Sequence, residues 1–270
     1  MHRSTAELPS ALEHFATLQR RLANRQVAIF CDYDGTLTPI VASPELARLD
    51  PATRAVLERL ADQCVVTIIS GRDLTDVMSM VATDKVWYAG SHGFDLCGPG
   101  GVRDERDEGL RSLDSLAGAA NELEQSVLDI PGAWVERKRF AVAIHFRQVE
   151  GDRLYDVEGA VDRVGAAHPG LRKTGGKRIF ELRPDVEWDK GRALWWVFER
   201  AGIRADRTVP IYLGDDATDE DAFAALGDRG LGIVVDDGDR PTQADYRLEN
   251  PHEVLEFLRK LSGWLESLEG

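Results

Sequence analysis

Residues 28–37, Ala-Ile-Phe-Cys-Asp-Tyr-Asp-Gly-Thr-Leu, form an apolar run that stops abruptly at Asp32 and Asp34 and turns on Gly35. A short apolar run ended by a turn signal reads as a strand buried on both faces, the kind found in parallel sheets. Such sheets place their chemistry just past the carboxyl ends of their strands. The pattern therefore commits the chain to an α/β architecture and sends two acids into a crevice. An ordinary strand and turn with solvated aspartates is the plainer reading of this stretch alone, and the rest of the chain speaks against it.

Strand and helix signals alternate on both sides of this run. Leu8, Leu12, Phe15, Leu18 and Leu22 recur at helical spacing, which predicts a helix over 10–24 leading into the first strand. A second helical pattern follows Pro51, and Val65 to Ile69 reads as a buried strand ending at Ser70-Gly71-Arg72. A third strand over 86–89 ends at Gly90-Ser91-His92-Gly93-Phe94-Asp95. From Asp189 the alternation resumes with a helix, a strand at 209–213 ending in Gly214-Asp215-Asp216-Ala217-Thr218-Asp219-Glu220-Asp221, and a strand at 231–235. Thr218 and Asp221 have the spacing of a capping box, and Asn250-Pro251 announces a last helix with Leu255, Leu258, Leu261 and Leu265 as its buried stripe. This is the pattern of a doubly wound parallel sheet.

The pattern breaks between residues 98 and 184. Gly98-Pro99-Gly100-Gly101 and the charge run Arg103 to Glu108 read as a solvated linker or helix start. Then come a helix, alternating runs at 133–138 and 141–147, a helix at 153–167 and a second hairpin at 171–183. This predicts a smaller α+β domain at 98–184 inserted into an α/β core of 1–97 and 185–270. Period-2 alternation puts Val142, Ile144 and Phe146 on one face of the 141–147 strand and His145 and Arg147 on the other, with Glu181 and Arg183 sharing a face of their own strand. The open face of the small sheet is then expected to carry His145, Arg147, Glu181 and Arg183.

Composition narrows the partners. A formal charge of −14 and a pI near 4.9 disfavour nucleic acid and anionic membranes. No apolar stretch approaches the roughly 18 residues that span a bilayer, and residues 1–7 lack a hydrophobic signal region. Cys31, Cys64 and Cys97 form neither a metal-ligand spacing nor a pairing framework. The expectation is a cytoplasmic protein, monomeric, acting on a small molecule. If neighbouring strands bring Asp32, Asp34, Asp215, Asp216 and Asp219 together, the acids demand a cation, and oxygen ligands from distant segments suit Mg²⁺ better than Ca²⁺.

Asp32-Tyr33-Asp34-Gly35-Thr36, Ser70, Lys190 and Gly214-Asp215-Asp216 resemble, in order, the four motifs of haloacid dehalogenase phosphatases. Ser70-Gly71-Arg72, His92-Gly93, Glu136-x-Lys138, Gly176-Lys177, Glu181-Leu182-Arg183-Pro184 and Gly-Asp-Asp-Ala-Thr-Asp-Glu resemble more narrowly the trehalose-6-phosphate phosphatases. The resemblance implies a haloacid-dehalogenase-type core with an inserted cap, a phosphomonoester hydrolase with Asp32 as nucleophile and Asp34 as general acid and base, and Ser70 and Lys190 on the phosphoryl group. It implies a metal held by Asp32, the Asp34 carbonyl and Asp215, with Asp216 or Asp219. For the phosphorylated sugar it implies Thr36, Arg72, His92, Gly93, Asp95, Lys138, His145, Arg147, Lys177, Glu181 and Arg183, with cap closure excluding water. His92-Gly93-Phe94-Asp95 departs from the family's His-Gly-x-Glu, a difference that bears on which sugar is bound. Rival readings are a phosphatase for sucrose phosphate or glucosyl-phosphoglycerate, a phosphotransferase, and a non-catalytic sugar-phosphate-binding module.

Overall fold

The computed structural model describes residues 3–41, 44–176, 178–236 and 238–269. In chain order these form β1 (Arg3–Ser4), α1 (Phe15–Leu22), β2 (Gln26–Cys31), α2 (Pro51–Ala61), β3 (Val65–Ile69), α3 (Leu74–Val81), β4 (Trp87–Gly90), β5 (Asp95–Gly98), β6 (Val102–Glu105), α4 (Asp107–Arg111), α5 (Leu113–Val127), β7 (Trp134–Lys138), β8 (Ala141–His145), α6 (Leu154–Ala167), β9 (Leu171–Gly176), β10 (Ile179–Pro184), α7 (Lys190–Arg200), β11 (Thr208–Gly214), α8 (Asp219–Leu226), β12 (Leu231–Val235), β13 (Pro241–Thr242), β14 (Tyr246–Leu248) and α9 (Pro251–Glu269). They divide into two compact units, Met1–Asp104 with Trp188–Gly270, and Glu105–Glu187.

The larger unit is built on the sheet β14-β12-β11-β2-β3-β4-β5-β6, in which β14 through β4 run parallel. Alternate residues of β2 supply two cores. Val27, Ile29 and Cys31 pack with α1, α2 and α9 through Leu18, Leu57 and Leu258, while Ala28 and Phe30 pack with α7 and α8 through Leu194, Val197 and Phe223. A strand apolar on both faces is what a helix-covered parallel sheet requires, and each large apolar side chain buried there contributes roughly 1.5–3 kcal/mol. Helix starts are chemically marked: the Asp50 carboxylate accepts from Ala52 N–H at 2.6 Å before Pro51, and Asn250 Oδ1 accepts from His252 and Glu253 N–H before Pro251.

Three local expectations are corrected. The charge run after Gly98 is no linker, although its end is a helix start, the other expectation, with α4 opening at Asp107. Residues 102–105 form β6, the edge strand that extends the sheet beyond the antiparallel β4–β5 pair. An edge strand tolerates charges that an inner one would bury, and Asp104 pairs with Arg200 at 2.6 Å. The first helix is shorter than 10–24, because the backbone of residues 9–11 is tied instead to Arg247, through Arg247 N–H to Pro9 O and Ala11 N–H to Arg247 O. Arg147 lies past the end of β8, in the following turn.

In the smaller unit the sheet β7-β8-β10-β9 is antiparallel throughout, and α5 and α6 pack on one face of it through Val142, Ile144, Phe146 and Leu182. No helix among the described residues is long and apolar enough to cross a membrane.

Candidate active site

The carboxyl ends of β11, β2, β3 and β4 lie side by side because the strands are neighbours in that order. Asp32 follows β2 directly, and its N–H donates to Leu213 O at 2.8 Å, which carries the ladder one residue past the strand. Lys190 opens α7, whose start is capped by the Asp189 carboxylate accepting from Arg192 N–H at 2.7 Å. A cation in the first turn of a helix opposes the helix dipole. Lys190 is nevertheless only 3% exposed, and its Nζ donates to Asp32 Oδ1 at 2.9 Å and Asp219 Oδ1 at 2.8 Å. Two buried carboxylates outweigh the dipole.

The loop after β11 is ordered by its own acids. Asp219 Oδ1 also accepts from the Tyr212 hydroxyl at 2.5 Å, while Asp219 Oδ2 accepts from the N–H groups of Asp215 and Asp216, both at 3.0 Å. Asp216 Oδ1 turns back onto the loop and accepts from Thr218 N–H and Oγ1–H, both at 2.7 Å. Asp216 therefore does the capping that the Thr218–Asp221 spacing suggested. Gly35, at φ +87°, occupies left-handed backbone, and a Cβ there would lie 2.2 Å from an Asp215 carboxylate oxygen. Its absence lets Asp215 approach, and Thr36 Oγ1 donates to Asp215 Oδ1 at 3.3 Å.

Asp32, Asp215 and Asp219 each present a carboxylate oxygen within 4.8 Å of the others. Burial, reinforced by Asp219 and Asp216, pushes Asp215 up to about 7. Burial also raises Asp32 and Asp219, against the pull of Lys190. For Asp216 burial works upward, but Lys190 and the Thr218 bonds outweigh it and hold the carboxyl below the usual range. Lys190 itself is raised: burial disfavours its charge, and Asp219 and Asp32 more than restore it. One lysine among four acids leaves negative charge uncompensated, and an all-oxygen donor set of this kind fits a hard divalent cation.

A second group forms at the ends of β3 and β4. Arg72 grips Asp34 with both arms, Nε to Oδ2 at 2.7 Å and Nη2 to Oδ1 at 2.6 Å. Ser70, 1% exposed, accepts from Arg72 N–H through Oγ at 3.1 Å, so its own hydroxyl proton is free to be donated elsewhere. Ser91 and His92 both adopt positive φ, an arrangement costly for residues with a Cβ. Ser91 N–H to Arg72 O at 2.6 Å and His92 N–H to Ser70 O at 2.8 Å hold it, and so weld the two loops together. The His92 ring lies over Gly71, and Gly93, at φ +95°, sits against Ala193 where a Cβ would be 2.2 Å from that residue's own. Asp95 is buried and begins β5, with its backbone opposite Gly90.

The smaller unit holds the other predicted residues. Lys138 Nζ donates to Glu181 Oε1 at 2.7 Å, Arg183 Nε lies 3.9 Å from Glu181 Oε2 and donates to Thr174 Oγ1 at 3.2 Å, and His145 Nε2 lies 2.8 Å from Glu136 Oε2. Register puts these on one face: Glu136 and Glu181 both oppose Ala143, and Trp134 opposes and stacks on His145 at 3.8 Å. Arg147 is exposed beyond β8, and Lys177 lies outside the described residues. The structure thus joins Asp32, Lys190, Asp215, Asp216, Asp219 and Thr36 in one network, Asp34, Arg72, Ser70 and His92 in another, and Lys138, Glu181 and Arg183 in a third.

Sequence reasoning noted Glu136 only within the Glu136-x-Lys138 motif, without a site role, and missed Tyr212, Trp134 and Arg240. Alternation back from Lys138 places Trp134 on the same face as Glu136, and alternation along β11 separates Tyr212 from Ile211 and Leu213, so Trp134 and Tyr212 were recoverable. Nothing local marks Arg240, whose Nη2 donates to Asp215 O at 2.7 Å from 25 residues away.

A family model described as trehalose-phosphatase matches residues 30–252. The chain is 47% identical over 261 residues to a Mycobacterium tuberculosis (strain CDC 1551) protein named uncharacterized glycosyl hydrolase, a match covering 94% of this chain and 20% of that protein. It is 45% identical over 264 residues to the trehalose-phosphate phosphatase of Mycobacterium tuberculosis (strain H37Rv), covering 96% of this chain and 67% of that one. A solved structure described as a trehalose-6-phosphate phosphatase related protein superposes with a TM-score of 0.78 at 27% identity, covering 91% of this chain and 100% of the other. The chain therefore spans 20% of the length of the first relative and 67% of the second.

Proposed function

The chain belongs to the trehalose-phosphatase family, with the fold of the haloacid dehalogenase phosphatases, and from that premise we propose that it hydrolyses trehalose 6-phosphate to trehalose and phosphate. The observation that carries this reading is the buried Lys190 bridge between Asp32 and Asp219, with a second acid, Asp34, two residues after the first. An Asp-x-Asp pair serves phosphoester chemistry because an alkoxide leaving group needs an acid.

In the first step an Asp32 oxygen attacks phosphorus, the bond to the sugar oxygen breaks, and Asp34 delivers a proton to that oxygen. In the second, Asp34 takes a proton from water, the water oxygen attacks phosphorus, and the Asp32 carboxylate is released with phosphate. Lys190 keeps Asp32 oriented and offsets its charge. Arg72 holds Asp34 in place, and one arm of that grip yields when Asp34 turns to the leaving oxygen. The Ser70 hydroxyl and the backbone N–H groups around Gly35 and Thr36 donate to the phosphoryl oxygens. Asp32, Asp215 and Asp219, with the Asp34 carbonyl, would hold a divalent cation, Mg²⁺ by the chemistry of the donor set, and Asp216 orders their loop; when bound, the cation neutralises charge on the phosphoryl oxygens. For sugar hydroxyls the larger unit offers His92, Gly93 and Asp95, and the smaller unit, taken by itself, offers Lys138, His145, Arg147, Lys177, Glu181 and Arg183. A pocket of buried hydrogen-bonding groups rejects the wrong sugar strongly because those groups are then left unpaired.

Phosphate release from trehalose 6-phosphate, sucrose 6-phosphate, glucose 6-phosphate and glucosyl-phosphoglycerate, with and without Mg²⁺, tests the reading. Preference for trehalose 6-phosphate that chelation abolishes is expected. Preference for another sugar overturns the substrate and keeps the mechanism; release from none, with binding retained, overturns the enzyme.

A further inference from the structure

Arg240 lies outside every motif noted in the sequence, yet its guanidinium serves three acceptors at once. Nη2 donates to the backbone carbonyl of Asp215 at 2.7 Å, Nη1 to Glu220 Oε1 at 3.0 Å and Nε to Asp236 Oδ2 at 2.7 Å. The three acceptors come from three places: the loop after β11, the first turn of α8, and the end of β12. Glu220 is itself held by Gln243 N–H on Oε2 at 2.8 Å. The backbone of Arg240 is tied down as well, since its N–H donates to Thr5 Oγ1 at 3.1 Å and its carbonyl accepts from Thr5 N–H at 2.9 Å. Thr5 is fully buried.

The consequence falls on one residue. Asp215 N–H is fixed by Asp219 Oδ2, and Asp215 C=O is fixed by Arg240. Holding both ends of a residue restricts its φ and ψ, and with them the direction in which its carboxylate leaves the chain. We propose that Arg240 is a positioning residue that presents the Asp215 carboxylate to the cation, with Glu220 as the group that orients Arg240; this rests on the reading of Asp32, Asp215 and Asp219 as cation ligands. Groups that orient a metal ligand typically account for 10–100-fold in metal affinity.

Charge makes the proposal decidable by sign. A positive group beside an acid cluster repels a cation, so if Arg240 acted only through its charge, removing it would tighten cation binding. If it acts by holding the Asp215 peptide, removing it weakens binding, and the Asp236 and Glu220 carboxylates that already neutralise it make the charge effect the smaller of the two.

The experiment is a Mg²⁺ titration of thermal stability on the full chain, compared among the parent, Arg240→Gln, Arg240→Lys and Glu220→Gln, with phosphate release measured alongside. Arg240→Gln is expected to raise the Mg²⁺ concentration at half the stabilisation by about tenfold or more. Arg240→Lys, which keeps the charge but gathers its donors on one nitrogen in place of the planar fork that reaches three separate acceptors, falls between it and the parent, and Glu220→Gln gives a smaller shift of the same direction. At saturating Mg²⁺ the turnover of all variants returns towards that of the parent. A lowered melting temperature with an unmoved Mg²⁺ midpoint, or a tightened midpoint, overturns the proposal. If Mg²⁺ does not stabilise the parent, the ligand assignment fails rather than the role of Arg240. If Arg240→Gln does not fold, Glu220→Gln and Arg240→Lys still decide: an unmoved midpoint in both overturns the proposal.

Discussion

The charged groups of the two units are organised in opposite ways. In the larger unit Asp32, Asp215, Asp216 and Asp219 share one lysine, and burial with mutual repulsion raises three of the four acids. On the open face of the smaller sheet, Glu136 and Glu181 are met by His145, Lys138 and Arg183. The first cluster is unbalanced and calls for a cation from outside. The second pairs its acids with cations of the same sheet face, a surface of donors and acceptors that a polyhydroxyl ligand can exchange into. On the proposed function, the first serves charge that appears during a reaction and the second serves selection.

The largest effect should come from the unbalanced side. Asp32→Asn leaves the fold and the other ligands in place but removes the attacking oxygen, and phosphate release should drop by at least about 10⁴-fold. A drop below about tenfold would break the assignment of Asp32 as nucleophile and with it the claim that the two clusters divide the labour.

Lys190→Met is next. Removing the lysine strands buried carboxylates, a change that costs about 3–5 kcal/mol when one partner of a buried pair is lost. Urea unfolding without divalent cation should show the loss, and Mg²⁺ should recover part of it. A loss under about 1 kcal/mol would mean that the acids are not held in opposition as their geometry indicates.

The third prediction concerns pH. Asp215 is raised from 3.8 to about 7 in the cation-free protein. A raised acid binds its proton better folded than unfolded, so its contribution to stability is full below about pH 3.8 and is lost as pH rises through about 7. The lowered pKa of Asp216 acts with the opposite sign but only in strongly acid solution, outside this window. The melting temperature of the stripped protein should therefore fall by several degrees between pH 5 and pH 8, and Mg²⁺ should flatten the profile; a flat profile without Mg²⁺ would remove the electrostatic contrast between the units.

The smallest effect sharpens the comparison. Lys138→Ala should raise KM for trehalose 6-phosphate by about tenfold, the scale of one or two lost hydrogen bonds, and should leave the Mg²⁺-dependent rise in melting temperature unchanged. Movement of both together would show that the two clusters are not independent.

Much of the site was legible because its residues sit where strands end. The acids at 32 and 34, Ser70 and the acidic loop after Leu213 each close an apolar run, and parallel pairing brings such ends together without further information. Lys190 was legible for a subtler reason: a cation at a helix start needs an anion, and it has two. The edge strand at 102–105 was not legible, because a charged edge strand and a charged linker look alike until the neighbouring strand is known.

By itself the amino-acid sequence determined the alternation of strands and helices, the second sheet with its covered and open faces, and the identity of the acids, since periodicity and strand ends are properties of consecutive residues. Only the tertiary structure decided which acid does which task. Asp216 and Asp219 are three residues apart and chemically identical, yet one turns outward to cap its own loop and the other is fully buried against Lys190 and Tyr212. It also decided that Arg72 holds Asp34 and that Arg240 holds Asp215, because a hydrogen bond across 38 or 25 residues depends on where folding brings the two groups, and no local pattern records that.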